Sequence, residues 1–165
     1  MKKRSTLYLA RGAMIASLYV ALTYLAFILG LSSGAIQLRI SEMLCILPVF
    51  FPEATVGLFL GCLISNLITG CVVWDIIFGA IATLIGAIGA RLLRFLPKGL
   101  MFIATLPTLF SNMLIVPLVL IYAYGLSGGY FYFMLTVGIG EFLTAVLGGT
   151  LLYYLLTRYG KRMLS

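Results

Sequence analysis

The chain has only four carboxylate side chains, and their positions decide which chemistry is open to it. They are Glu42, Glu53, Asp75 and Glu141, and each lies in or beside a long apolar stretch. A carboxylate surrounded by hydrocarbon costs free energy unless it has a partner or a function. These residues are therefore candidates for binding a ligand that carries N–H donors or a positive charge.

Glu141 is the most deeply placed of these carboxylates. Counting from the start of the last apolar stretch places it about ten residues, or roughly 15 Å, below the outer membrane surface. The preceding residues, Val137-Gly138-Ile139-Gly140, include glycines that leave space beside the carboxylate. We favour a ligand-facing role. The alternative is a protonated glutamate that bonds a neighbouring helix.

Glu42 and Asp75 are each predicted at the outer start of a helix, where a carboxylate also interacts favourably with the helix dipole. Arg39 closely precedes Glu42, so the sequence leaves open an Arg39–Glu42 ion pair and a role for Glu42 in a site. Glu53 follows a proline at a predicted cytoplasmic turn. We expect a solvated or helix-capping role for Glu53.

Asp75 begins a helix that carries small residues on one face. Gly79, Ala82 and Gly86 follow it at i+4, i+7 and i+11, which places all of these residues on one helical stripe. A stripe of small residues is typical of a face that packs against other helices. The pattern therefore predicts that Asp75 points into the protein, and we favour a site role over simple capping.

Amide and aromatic side chains complete the candidate site. Asn66 and Asn112 are predicted inside the membrane, where each either bonds a neighbouring helix or faces a ligand. Trp74 and Tyr130 are predicted at the outer mouth, where they would offer stacking and cation–π contacts. The complete set of candidate binding residues is Arg39, Glu42, Asn66, Trp74, Asp75, Asn112, Tyr130 and Glu141. This set suits a planar heterocycle with N–H donors, whereas a phosphate or sulfate would need more arginines.

The composition predicts an all-α membrane protein. Hydrophobic residues make up 63% of the 165 positions and charged residues 9%, and the mean hydropathy is +1.19. A soluble domain carries about a quarter charged residues, so an ordinary soluble fold is excluded.

The apolar stretches predict six transmembrane helices in a single domain, residues 1–165. The predicted helices are residues 7–29, 41–51, 54–68, 74–93, 100–122 and 131–157. The second is short for a bilayer, so it must be tilted, partly unwound or shielded.

The net charge of +7 has a topological explanation. All basic residues except Arg39 fall in three clusters. The clusters are Lys2, Lys3, Arg4 and Arg11; Arg91, Arg94 and Lys98; and Arg158, Lys161 and Arg162. The positive-inside rule places all of them, and therefore both termini, in the cytoplasm. Three short flanks between apolar spans do not form a nucleic-acid-binding surface, so no nucleic-acid partner is expected.

Several kinds of chemistry are disfavoured by what the sequence lacks. There is no histidine, and Cys45, Cys62 and Cys71 show no C-x-x-C spacing, so we expect no metal site and no disulfide. We also expect no cofactor. A small membrane enzyme would need a nucleophile or a paired acid and base near one face, and the scattered carboxylates argue against one.

The first predicted helix carries a second notable pattern. Ala13, Ser17 and Ala21 form a ladder of small residues at a spacing of four. Such a ladder allows close approach of another helix within the membrane. The sequence leaves open whether that helix belongs to this chain or to a partner protein.

Several blocks of residues resemble the QueT family of queuosine-precursor transporters. The blocks are Arg39-Ile40-Ser41-Glu42, Leu47-Pro48-Val49-Phe50-Phe51-Pro52-Glu53-Ala54, Gly57-Leu58-Phe59-Leu60-Gly61-Cys62, Ser65-Asn66, Asp75-Ile76-Ile77-Phe78-Gly79 and Val137-Gly138-Ile139-Gly140-Glu141. The resemblance spans nearly the whole chain. It implies a multi-pass protein of the cell membrane, the substrate-binding S component of an energy-coupling factor (ECF) importer, which captures queuine or a related 7-deazaguanine from outside.

The resemblance also implies partners. They are an ECF scaffold (T) subunit and two cytoplasmic ATPases, which fits a chain that has no Walker motif of its own. The ladder Ala13, Ser17 and Ala21 would contact the scaffold, and residues 30–38 would cover the ligand as a lid.

For the ligand itself, a carboxylate accepts the adjacent N–H groups of a guanine-like edge bidentately, and Asp75 and Glu141 are the candidates for that contact. Glu42 is the candidate partner of an aminomethyl cation. The alternative substrate is another heterocyclic vitamin.

Overall fold

The computed structural model describes residues 2–31 and 37–159, with side chains from residue 5 onward, and every regular element in these ranges is helical. The main helices are α1 (Lys2–Ile28), a 3-10 helix (Ile40–Val49), α2 (Glu53–Ile68), α3 (Val73–Leu92), α4 (Leu106–Tyr122), α5 (Tyr130–Glu141) and α6 (Gly149–Tyr159). Two shorter 3-10 segments, Leu93–Phe95 and Lys98–Thr105, connect α3 to α4. A π-helical segment, Phe142–Gly148, joins α5 to α6.

Within the described ranges, four helical runs are long and apolar enough to cross a membrane: Ser5–Ile28, Val73–Phe95, Lys98–Tyr122 and Tyr130–Tyr159. The prediction of an all-helical membrane protein is therefore confirmed. The other two predicted spans are shorter apolar helices, with 10 residues in Ile40–Val49 and 16 in α2. At about 2.0 Å per residue for a 3-10 helix and 1.5 Å for an α-helix, neither reaches the roughly 30 Å of a hydrocarbon core.

The 3-10 helix lies inside the bundle. Most of its side chains are buried, including Ser41 and Glu42. Arg91 of α3 donates hydrogen bonds from Nη1 to the carbonyl oxygens of Pro48 (3.1 Å) and Val49 (3.4 Å), and so satisfies acceptors at the end of this helix. Burial by neighbouring helices accounts for how so short an apolar helix is accommodated.

α1 packs closely on α2 through glycines. A Cβ atom added to Gly57 would lie 2.5 Å from the carbonyl oxygen of Gly12, and one added to Gly61 would lie 2.9 Å from the Tyr19 Cβ and 3.0 Å from the Ala16 carbonyl oxygen. Only glycine permits this approach of the two backbones. The face of α1 with Gly12, Ala16 and Tyr19 is therefore the inward one.

α3 packs on α4 in a similar way. A Cβ added to Gly86 would lie 2.5 Å from the Oγ1 of Thr108, and Ser111 donates a hydrogen bond of 2.9 Å to the Ala82 carbonyl oxygen. Gly79, like these α3 residues, is buried, and Asp75 is 5% exposed. The predicted inward stripe of α3 is confirmed.

Candidate functional site

A polar pocket of about 280 Å³ lies where α1 and α2 end and α3 begins. Its lining consists of Thr23, Phe27, Gln37, Arg39, Asn66, Thr69, Gly70, Cys71, Asp75, Leu120, Tyr124 and Leu126. The volume is near the lower end of the range for small-molecule sites, about 300–1,000 Å³. Three residues that the sequence proposed for a site, Arg39, Asn66 and Asp75, are brought together here.

Asp75 is the centre of this polar pocket. Its Oδ1 lies 3.5 Å from Nη2 of Arg39, and its Oδ2 accepts a 2.9 Å hydrogen bond from the hydroxyl of Tyr124. The Asn66 amide donates a 3.2 Å bond to the backbone carbonyl oxygen of Asp75. The carboxylate also lies in the first turn of α3, where the helix dipole favours negative charge. These contacts fix the Asp75 carboxylate at the wall of the polar pocket.

Arg39 faces the same point from the 3-10 helix side. Burial works against its charged form, but the Asp75 carboxylate reverses this and raises the pKa of the Arg39 guanidinium. In the described part of the chain, its buried Nη1 atom has no hydrogen-bond partner. A Cβ added to Gly79 would lie 3.0 Å from Asn66 Nδ2, 3.3 Å from Asp75 Oδ1 and 3.6 Å from Arg39 Nη1. Glycine at position 79 therefore lets these three polar groups converge closely against the backbone of α3.

Glu42 lies deeper and is fully buried. Its Oε1 accepts hydrogen bonds from the Tyr19 hydroxyl and from Thr83 (3.2 Å), and its Oε2 accepts one from the Cys45 thiol (3.1 Å). The Arg39–Glu42 ion pair that the sequence left open is not among the ion pairs of the described residues, because Arg39 is paired with Asp75. Glu42 is thus held by donors from its own protein.

Glu141 is buried, as predicted, with an exposure of 4%. Among the described residues, the Oε2 of Glu141 has no hydrogen-bond partner. Asn112 is similar: its amide nitrogen donates to the Thr108 carbonyl oxygen (3.1 Å), and its buried Oδ1 accepts no bond from the described residues. Two buried acceptor oxygens are therefore not used within the described structure.

Trp74 and Tyr130 lie outside the polar pocket. Trp74 is 58% exposed, stacks on Phe78 at 5.9 Å, and lines a separate apolar groove of about 420 Å³ between α3 and α4. Tyr130 donates its hydroxyl to the Leu114 carbonyl oxygen at 3.1 Å. Trp74 immediately precedes Asp75, and successive helical residues point about 100° apart, so the two side chains face different surfaces.

The aromatic side chains that do line the polar pocket are Phe27 and Tyr124, and sequence reasoning missed both. A signal for Phe27 is present in α1, because Tyr19, Thr23 and Phe27 follow one another at a spacing of four and share a face. Thr23 donates a hydrogen bond to the Tyr19 carbonyl oxygen (2.9 Å), and its hydroxyl oxygen lies 2.8 Å from Ser41 Oγ. Tyr124 follows the end of α4 in a turn, where helical periodicity gives no direction.

The small-residue ladder of α1 faces outward. Ala13, Ser17 and Ala21 are exposed, and Ser17 donates a 2.9 Å hydrogen bond to the Ala13 carbonyl oxygen. Ser17 and Ala21 line a third cavity, the α1–α2 groove, of about 430 Å³. Its remaining lining residues are Ala16, Val20, Tyr24, Ile64 and Ile68. Helices α1 and α2 therefore contribute residues both to this groove and to the polar pocket.

No group of three or more cysteine, aspartate or glutamate side chains is placed to hold a metal ion within residues 5–31 and 37–159. The predicted lid, residues 30–38, falls mostly on residues 32–36, which lie outside the described ranges.

Helices long and apolar enough to cross a membrane, together with the polar pocket between them, define a helical membrane protein. The sequence matches the QueT transporter family over residues 9–158, and the chain belongs to this family. The family resemblance noted in the sequence is thereby confirmed. The family is one of transporters and not of enzymes.

One curated relative is the queuosine precursor transporter QueT of Lactococcus lactis subsp. cremoris (strain MG1363). It is 38% identical over 85 residues, which cover 52% of this chain and 50% of the relative. The chain thus matches about half the length of this relative. No solved structure matches the chain.

Proposed function

We propose that this protein takes up queuosine precursors and binds their 7-deazaguanine ring in the polar pocket. The observation that carries the proposal is the pairing of Arg39 with Asp75 at one pocket wall, 3.5 Å apart. It is supported by the printed name of the relative, a queuosine precursor transporter. The polar pocket volume of about 280 Å³ suits a ligand of a few fused rings.

The hydrogen-bonding groups of this wall complement a guanine-like edge. That edge presents a carbonyl oxygen, an N1–H donor and an exocyclic amine side by side. A carboxylate such as Asp75 accepts two adjacent N–H groups, and a guanidinium such as Arg39 donates to a carbonyl oxygen. The unused Nη1 of Arg39 and the two oxygens of Asp75 therefore offer one donor and two acceptors for such an edge.

Glu141 is the better candidate for the positive charge of an aminomethyl substituent. The sequence assigned that role to Glu42 and gave Glu141 a share in the ring edge. Glu42, however, already accepts hydrogen bonds from three donors of this protein, whereas one oxygen of Glu141 accepts none from the described residues. Adding a ligand amine to Glu141 satisfies a buried acceptor without breaking an existing bond. The Oδ1 of Asn112 is a second buried acceptor without a partner among the described residues.

We further propose that the protein is the substrate-binding S component of an ECF importer in the cell membrane, with six membrane segments and both termini in the cytoplasm. The basic clusters support this topology through the positive-inside rule. The exposed ladder of α1 supports docking of a scaffold subunit, because small residues let a partner helix approach closely. The sequence has no Walker motif, which is consistent with ATP hydrolysis by two partner subunits.

Binding to the purified full chain tests the proposed substrate. Isothermal titration with queuine and with 7-deazaguanine should give saturable heat. Adenine, which lacks the adjacent N1–H and exocyclic 2-amine donors of a guanine-like edge, should give little. Mass spectrometry of molecules that co-purify with the protein should detect a 7-deazaguanine. Co-purification of a different heterocyclic vitamin, together with no heat from queuine, would reassign the substrate.

A further inference from the structure

We propose that Tyr124 sets the affinity of the polar pocket by occupying, with its hydroxyl, the Asp75 oxygen that a ligand N–H group must take. The inference rests on the proposed function, because it concerns the guanine-like ligand of the same site. It adds a residue that the sequence analysis did not assign to ligand binding. In this view the Tyr124 O–H is the internal substitute for a ligand donor.

Both oxygens of Asp75 are engaged. Oδ2 accepts the Tyr124 hydroxyl at 2.9 Å, and Oδ1 lies 3.5 Å from the Arg39 guanidinium. A ligand that donates two N–H groups to Asp75 needs access to both oxygens. The Arg39 contact is long, whereas the Tyr124 bond is short and uses one of the two lone pairs of Oδ2, so a ligand N–H group at Oδ2 competes with it.

Tyr124 is the side chain that can leave. It is 40% exposed, whereas the side chains of Arg39 and Asp75 are 14% and 7% exposed. When the Tyr124 hydroxyl leaves Asp75, water can replace its hydrogen bond. Loss of the Arg39 contact would leave a charge partly buried without its partner, which costs more.

The backbone at Tyr124 is fixed, so its release requires only side-chain rotation. The Tyr124 amide donates to the Val119 carbonyl oxygen (3.2 Å), and the Leu126 amide donates to that of Leu120 (3.2 Å). Gly125 between them has φ +65°, a conformation that glycine adopts without strain. Burial and the neighbouring Asp75 carboxylate raise the pKa of Tyr124, so its hydroxyl remains a donor at physiological pH.

Removing the hydroxyl removes the competitor. Tyr124→Phe should therefore bind 7-deazaguanine about three- to tenfold more tightly than the wild type, the size of one partly exposed hydrogen bond. This gain in affinity should depend on the second N–H donor of the ligand, its exocyclic amine. 7-Deazahypoxanthine lacks the exocyclic amine, so it donates one N–H group and can use Oδ1 while Tyr124 stays in place. For this ligand the change should be less than about twofold.

Isothermal titration of the full chain with both ligands tests the proposal, with thermal unfolding measured alongside. Tyr122→Phe is the matched control, because Tyr122 is 83% exposed and lines the separate apolar groove. A gain confined to Tyr124→Phe and to 7-deazaguanine supports the inference. Equal or weaker binding of 7-deazaguanine by Tyr124→Phe, or an equal gain for both ligands, overturns it. If the wild type binds neither ligand, the proposed function fails, and the inference fails with it.

Discussion

The Tyr19 hydroxyl donates a hydrogen bond to the Glu42 carboxylate across 23 positions of sequence, and both side chains are almost completely buried. The bond joins α1 to the 3-10 helix. Thr83 of α3 donates to the same carboxylate oxygen at 3.2 Å, so Glu42 connects three helices. A buried carboxylate with three donors is satisfied, and its contribution depends on keeping all of them.

Tyr19→Phe should therefore destabilise the protein. The substitution keeps the ring but removes one donor from a buried carboxylate, a loss of about 1–3 kcal/mol. Unfolding by heat or denaturant in detergent, compared with the wild type, measures it. Tyr24→Phe, at a 46% exposed position of the same helix, is the control and should be close to neutral. Equal stability of Tyr19→Phe and the wild type would show that the bond contributes nothing.

Glu141→Gln tests the proposed contact with the ligand amine. Glutamine keeps the size of the side chain and removes its charge, so binding of queuine should weaken by about 1.5–3 kcal/mol, or roughly ten- to a hundredfold. Binding of unsubstituted 7-deazaguanine, which has no amine cation, should change far less. Isothermal titration with both ligands measures the difference.

A structural glutamate at position 141 would give a different result. If Glu141 is protonated and only bonds a neighbouring helix, glutamine should replace it well, and neither ligand should lose affinity. Equal losses for both ligands would instead place Glu141 at the ring edge, as the sequence first suggested.

Ser17→Leu tests the outward face of α1. A leucine would fill part of the α1–α2 groove, which Ser17 and Ala21 line, and would keep a partner helix at a distance. Uptake of queuine by cells should fall severalfold, while the purified chain binds queuine with unchanged affinity. Ser17→Ala is the matched control, because it removes the hydrogen bond to Ala13 but keeps the groove open, and it should transport normally. Loss of binding with normal complex formation would show that the ladder serves internal packing.

The proposed topology makes a prediction about labelling in intact cells. Ser127 lies between α4 and α5, and Gly99 lies between α3 and α4, where a Cβ would have nothing within 4 Å. In a background without native cysteines, a membrane-impermeant thiol reagent should modify Ser127→Cys and spare Gly99→Cys. Labelling of position 99 and not of position 127 would invert the topology.

Much of the helical framework could be predicted from the sequence, because apolar length and helical periodicity are local properties. The inward stripe of Asp75, Gly79 and Gly86 is an example, because residue spacing alone indicates which face of α3 points into the protein. The 3-10 winding of Ile40–Val49 could not be predicted, since its burial by neighbouring helices is a tertiary effect.

The polar pocket was only partly predictable, because some of its side chains are positioned by tertiary structure. Asp75 and Asn66 were found because polar side chains in apolar helices are rare. Tyr124 was missed, because its direction depends on the turn that ends α4 at Gly125. The hydrogen bond from Tyr19 to Glu42 was not predicted either, since a tyrosine within an apolar helix is as compatible with lipid contact as with a buried hydrogen bond.

The proposed function depends on Asp75 accepting the two N–H groups of a guanine-like edge. Asp75→Asn replaces one acceptor oxygen with an amide donor, which would then face a ligand donor. Isothermal titration of Asp75→Asn with 7-deazaguanine should show affinity lower by about 2–4 kcal/mol, or roughly thirty- to a thousandfold, while thermal unfolding confirms that the variant is folded. Near-wild-type affinity in a folded Asp75→Asn variant would show that Asp75 does not accept these two N–H groups.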